Sequence, residues 1–511
     1  MFRRLLSVGG FTLLSRITGF LRDILMAAVL GNGALSDAFL VAFRFPNYFR
    51  AIFGEGAINP AFLPRYAALR ARGEHSAAAL FGDRVFSWQM TAQLIVLLAG
   101  LIAMPWIVRA LAPGFAAHPG QLALAIELSR ITFPYLILTV VAVQLSAMLN
   151  ASEKFWAAAA WSNFLNLAMI AAILLAPWFP NAAYATAWGV LAGGLAQLLF
   201  ILWAAARHGI TLRIARPRWT PEIKEFFKAL GATTLGTASI TIAPFVDTLI
   251  GSFLATGSLT ALYYSDRINQ LPLGVLGIAL GTVLLPEMST RLAKGDRAGS
   301  DSAQNRAAAL GLLLTLPFVA AFFLVPSTIM RGIFAHGAFD AHAADLSAAA
   351  LTAYGVGLPA FVLVRIVAAT YYARHDTVTP VKATISSIVV NIALKFVFVW
   401  GLGLGVAGVA LGTSLGAWVN VAILAWYGRR DSLLTLNASF RRALLPILLA
   451  AAAAGLGAIS GAELGARLVT GHLKDEIMLA LAIALGGVGY GAVTYAFRRI
   501  LPLGRLAGAT T

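Results

Sequence analysis

A chain of 511 residues that is 59% hydrophobic, 12% charged and of mean hydropathy +0.82 is not a soluble globular protein. Such proteins carry roughly 25% charged residues. With no cysteine, disulfides, thiol catalysis and Cys-ligated metals are excluded. The net charge of +17 raises nucleic acid as a partner, but no basic stripe with interleaved aromatics supports it.

Fourteen apolar segments follow one another, near 5–30, 35–63, 85–111, 122–150, 155–177, 183–206, 226–255, 259–288, 307–327, 345–373, 379–400, 404–427, 440–461 and 476–497. Each is long enough to cross a bilayer as a helix, and a backbone in lipid must satisfy its own hydrogen bonds, so an all-α polytopic membrane protein is expected. The start, MFRRLLSVGG, resembles a signal peptide, but Arg16, Arg22 and Asp23 interrupt the apolar stretch, which reads as a retained first helix. Of the 38 Lys and Arg, 26 fall in the loops on one side and three (Arg331, Arg467 and Lys474) in those on the other. That bias predicts a cytoplasmic location for the basic side and both termini, and it accounts for the net charge.

The other nine lie in or beside spans: Arg16, Arg22, Arg44, Arg50, Arg109, Arg130, Arg267, Arg365 and Lys395. An arginine near the bilayer centre costs about 2.5–3.5 kcal/mol, so these groups must face water or a partner. In span 1, SRITGFLRD, Arg16 and Arg22 diverge by about 120° around the helix, with Gly19 between them as a candidate bend. Span 2 carries Asp37, Arg44, Arg50 and Glu55 among Pro46, Pro60 and Pro64, and span 8 places Asp266 and Arg267 before Pro272. Mid-span prolines are tolerated where a helix lines a polar space. Pairing of Arg22 with Asp23, Arg50 with Glu55 and Arg267 with Asp266 is one account of these charges, although adjacent residues do not face each other on a helix. The arginines of these spans outnumber the acids, which favours an anion site, and a planar guanidinium suits phosphate oxygens.

Features also recur about 220 residues apart: NASEKFW with Glu153 against ARHDTVTP with Asp376, Gly189 against Gly408, and Pro64 against Pro286. They predict two six-helix halves, residues 1–217 and 218–430, with two further spans and a tail over 431–511, the organisation of carriers that rock around a central site. The glycines of span 6 and span 12 read as helix-packing positions. His336, His342, Asp340 and Asp345 read as a solvated loop, and no nucleophile motif, Walker loop or dinucleotide fingerprint is present.

SRITGFLRD, SDAFLVAFRFPNYFRAIFGEGAINPAFLP, YYSDRINQLPLGVLGIALGTVLLP and ARHDTVTPVK closely resemble the MurJ (MviN) family of lipid II flippases, in the multidrug/oligosaccharidyl-lipid/polysaccharide exporter superfamily. The resemblance implies a monomeric carrier in the bacterial inner membrane that moves lipid II, an undecaprenyl-diphosphate-linked disaccharide peptide, to the periplasmic leaflet. It implies that Arg16, Arg22, Arg50 and Arg267 bind the diphosphate, that Asp23, Asp37, Glu55 and Asp266 support or gate them, and that spans 13 and 14 form a groove for the lipid tail. Some members bind a cation, for which Asp247 and Asp376 are the counterparts in a Na+ or H+ coupling; no other cofactor is implied. The rivals are a multidrug exporter, which should line its cavity with acids and aromatics, an exporter of another polyprenyl-diphosphate-linked saccharide in the same superfamily, and a membrane glycosyltransferase or polymerase, which should show paired carboxylates or a metal site.

Overall fold

The computed structural model describes residues 2–51, 58–279, 284–431 and 433–502, and of these it gives backbone alone for 2–8, 235–240 and 275–279. Among the described residues every regular element is a helix. In chain order the α-helices are α1 (Phe2–Leu30), α2 (Ala34–Phe49), α3 (Asn59–Ala71), α4 (His75–Leu111), α5 (Pro119–Thr132), α6 (Tyr135–Ala151), α7 (Phe155–Ala160), α8 (Ser162–Leu174), α9 (Ala182–Arg207) and α10 (Pro221–Ser252). They continue with α11 (Ser258–Ala279), α12 (Leu285–Ala293), α13 (Arg297–Leu324), α14 (Pro326–Phe334), α15 (Ala341–Tyr372), α16 (Val378–Phe396), α17 (Gly405–Arg430), α18 (Ala438–Leu468) and α19 (Lys474–Ala496). Among the described residues, each of the fourteen expected segments overlaps one of these helices or two in tandem.

Among the described residues, ten of the segments are long and apolar enough to cross a membrane by length and composition. The other expected spans are 1, 2, 7 and 8, each of which includes residues outside the described ones or with backbone alone, and spans 1, 2 and 8 carry five of the nine Lys and Arg in or beside spans. In span 2 the α-helices α2, to Phe49, and α3, from Asn59, lie on either side of residues 52–57, which are outside the described residues.

The chain divides into two compact units, Met1–Thr260 with Gly337–Phe339, and Ala261–His336 with Asp340–Thr511. In the first, α9 packs on α6 and α8, α1 on α8, α2 on α5, and α10 on α3 and α4. In the second, α15 packs on α13 and α17, and α18 on α13 and α19. Small residues allow the close approaches. A Cβ on Gly457, Gly461 or Gly465 of α18 would meet the backbone of α19, and one on Gly189 or Gly193 would meet α8. Asn181, Asp296, Asp340 and Asn437 cap the first turns of α9, α13, α15 and α18 by accepting backbone N–H bonds that those turns otherwise leave unmade.

Local geometry sharpens the repeat. The helix-ending turns at Gly73 and Gly295 both adopt positive φ (77° and 75°), as do those at Glu153 and His375 (61° and 62°). Glu153 therefore corresponds to His375, not to Asp376. Both pairs stand 222 positions apart, the separation of Pro64 and Pro286. In all four turns the next residue's N–H donates to a carbonyl five positions back, the bond that closes a helix whose last residue is left-handed.

Candidate functional site

In the first unit α1 is one continuous helix, and Arg16 and Arg22 have opposite fates on it. Arg16 is exposed, whereas Arg22 is 6% exposed and Asp23 2%. The 120° between the two arginines turns one out of the protein and the other into it. Arg22 donates from Nε and Nη2 to Asp23 Oδ1 at 3.1 and 2.7 Å, and from Nη1 to Asn166 Oδ1 at 3.0 Å. The geometric objection to an Arg22–Asp23 pair is thus overturned: neighbouring Cβ atoms diverge, but the long arginine side chain doubles back. Asn166 of α8 also donates to the Ser15 carbonyl and the Thr18 hydroxyl, at 3.0 and 3.2 Å. It fits because Gly19 lacks a side chain: a Cβ there would stand 3.3 Å from the Asn166 amide. Gly19 is a packing position and not a bend. The Phe43 ring of α2 lies 6.0 Å from the Arg22 guanidinium.

On α2, Arg44 donates to Thr248 Oγ1 of α10 at 2.7 Å, and the Tyr48 hydroxyl donates to the Pro244 carbonyl at 2.8 Å. Asp247 is half-buried beside Thr248 on α10. Arg50, partly exposed just past α2, donates from Nε to Asn47 Oδ1 at 3.3 Å, one turn back. Asp37 is 2% exposed and accepts from Gly257 N (2.6 Å), Thr260 N (2.9 Å) and Thr260 Oγ1 (2.6 Å). It caps the turn entering α11. Glu55 lies outside the described residues.

In the second unit Arg267 sits one turn after Tyr263, donates to its hydroxyl at 2.8 Å and lies 4.8 Å from its ring centroid. Asp266 and Arg267 are half-buried, and Asp266 bonds Gln270 one turn on. Asp376 lies before α16 and accepts from the N–H groups of Val378 and Thr379 at 3.0 Å each. The Thr379 hydroxyl and these N–H groups hold its carboxyl below the ordinary range, as a charged helix cap. Asp247 and Asp376 belong to different units. Lys395, fully buried on α16, packs against Gly412 of α17. Arg109, Arg130 and Arg365 are exposed.

A groove of about 410 Å³ opens in the same unit, lined among others by Phe318 and Phe322 of α13, Ala454 and Ala458 of α18, and Ile483 and Gly487 of α19. Its lining is apolar but for the Tyr490 hydroxyl, which donates to the Leu313 carbonyl at 3.2 Å.

Sequence reasoning passed over Asn166, Thr248, Tyr48 and Tyr263. Two of them had a signal. Asn163 and Asn166 are two amides on one face of an apolar run, and Tyr263 precedes Arg267 by one helical turn. Thr248 and Tyr48 had none, because their pairing is set by tertiary packing.

A family model described as lipid II flippase MurJ matches residues 26–473. The chain is 35% identical over 526 residues to a probable lipid II flippase MurJ of Rhizobium tropici, across 98% of this chain and 97% of that protein. It is 33% identical to a lipid II flippase MurJ of Burkholderia cenocepacia, across 83% of each. Its fold is that of a solved lipid II flippase MurJ in an inward closed conformation, at TM-score 0.79 and 24% identity over 96% of this chain and 99% of the other. An inward-facing multidrug resistance MATE family transporter of the MOP superfamily shares the fold more distantly, at TM-score 0.68 and 18% identity over 82% of this chain and 95% of the other.

Proposed function

We infer the function from membership: this chain belongs to the lipid II flippase MurJ family, and it is a carrier that moves lipid II across a membrane, not an enzyme. The observation that carries this reading is the match of close relatives over nearly the whole chain. The finer steps are our proposal. The protein lies in the bacterial inner membrane with its basic loops and both termini in the cytoplasm. It takes lipid II from the cytoplasmic leaflet and releases it outside by alternating access. Arg16, Arg50 and Arg267, none of them sealed in the protein, meet the diphosphate first, and Arg22 adds its charge from the Asp23–Asn166 network. The prenyl chain stays in the apolar groove of α13, α18 and α19. An inside-negative potential drives the anionic load outward and draws the empty cationic site back, by about 2.3 kcal/mol per full charge per 100 mV. Asp247 and Asp376 remain the acids proposed for a coupling cation; Asp376 also caps α16.

Arg16, which is exposed, makes the cleanest test, and Arg267 is tested beside it. Each is replaced by Ala, and lipid II exposed on the outer face is measured at matched protein levels. Loss of one guanidinium–phosphate contact is expected to lower exposure about tenfold or more. Wild-type exposure in both variants would remove these arginines from the substrate site.

A further inference from the structure

We propose a second anion site, separate from the arginines above, that holds the phosphate of an anionic phospholipid headgroup in a pocket between the first turns of α13 and α18 and the segment that follows α19. The pocket encloses about 850 Å³, and its lining includes Arg291, Arg306, Arg498 and Arg499 and no acidic residue. Arg291 and Arg306 are held side by side by Glu287, whose Oε1 accepts from Arg291 Nε at 3.1 Å and Arg306 Nη2 at 2.7 Å. Arg291 also donates to Asp296 at 3.2 Å. Two guanidiniums share Glu287, while Arg498 and Arg499 face the same space, so the pocket keeps a positive excess.

Arg498 and Arg499 do not sit on a loose tail. Leu501, two residues on, is 4% exposed and packs with Ala443 and Ile447 of α18 and Leu313 of α13. Arg498 lies 4.1 Å from the Tyr495 ring centroid. Two helices begin at the pocket wall, and their N-terminal ends add positive potential to that of the arginines. Basic pockets between transmembrane helices at the cytoplasmic end suit anionic lipid headgroups. Leu445 and Leu448 stand exposed on α18, one to two turns deeper, where acyl chains would run. The leaflet assigned to the site rests on the proposed orientation, but the binding itself does not.

The test titrates the purified full chain with phosphatidylglycerol, phosphatidylcholine or inorganic phosphate and reads bound ligand by native mass spectrometry. Phosphatidylglycerol is expected to bind about tenfold or more tighter than phosphatidylcholine, and R498Q/R499Q to erase that preference without lowering Tm. R441Q/R442Q, an exposed pair outside the pocket lining, should leave it intact. Equal binding of the two lipids overturns the proposal, and so does an equal loss in both double variants, which would mean diffuse charge attraction. Inorganic phosphate binding as tightly as phosphatidylglycerol would assign the pocket to a free anion and overturn the lipid. Lipid II exposure by R498Q/R499Q, read in parallel, separates this site from the carrier: lost headgroup preference with normal exposure leaves the flippase reading standing.

Discussion

At the scale of single residues, the buried pair of α1 raises the sharpest question, since Arg22 is engaged by Asp23 and Asn166 and is also a proposed substrate ligand. Breaking a buried ion pair by removing one partner costs about 3–5 kcal/mol, because the remaining charge is left uncompensated. Replacing both partners with apolar residues of similar size is often close to neutral. Asp23→Leu alone is therefore expected to lower Tm and protein level sharply, and Arg22→Met with Asp23→Leu to restore both. If Arg22 serves the substrate, the restored protein still fails to expose lipid II. Recovery of flipping in the double variant would reduce Arg22 to a structural role. The sequence made the burial of Arg22 legible through the cost of charge in an apolar span. It hid the partner, because a rule about which helix positions face each other says nothing of how far an arginine side chain can bend.

At the scale of elements, the prolines explain why two helices borrow a hydrogen-bond donor from a neighbour. Pro46 has no N–H, so the carbonyl of Ala42 loses its donor from the next turn. The hydroxyl of Thr132 on α5 replaces it at 2.9 Å. Pro317 does the same to the Leu313 carbonyl, which accepts from Tyr490 on α19. A near-isosteric Thr132→Val would leave the Ala42 carbonyl without a partner in a buried site, at a cost of about 1–3 kcal/mol. Adding Pro46→Ala returns the helix's own donor, so much of that loss should be recovered. Thermal unfolding of the two single variants and the double variant checks this, and strictly additive shifts would rule out the substitution of one donor for the other. Proline positions were plain in the sequence, but the donors that answer them were not. Whether a helix absorbs a proline depends on a donor from another helix, here 90 residues away.

At the scale of the whole molecule, spans 1, 2 and 8 concentrate the intramembrane arginine, and with span 7 they open the two halves that the sequence predicts. Broken or less apolar segments at matching positions of two halves are where carriers build their sites. That much was legible in charge and proline placement, because polar groups in lipid need a functional or structural reason. The lipid-tail groove was expected only through family resemblance: an apolar residue lining a groove and one facing lipid read alike in sequence. Gly487 gives a way to test the groove without disturbing the fold. It lines the cavity, and a Cβ there would meet no atom within 4 Å. Replacing a mid-helix glycine with leucine should raise helix stability by about 0.5–1 kcal/mol. Gly487→Leu is therefore expected to hold or raise Tm while filling the space proposed for the prenyl chain and lowering lipid II exposure several-fold. Gly491, one turn on and equally open around its would-be Cβ, lies outside the groove lining and supplies the control. Gly491→Leu should share the gain in stability and flip normally. If both variants flip alike, the prenyl chain does not travel in the groove of α13, α18 and α19.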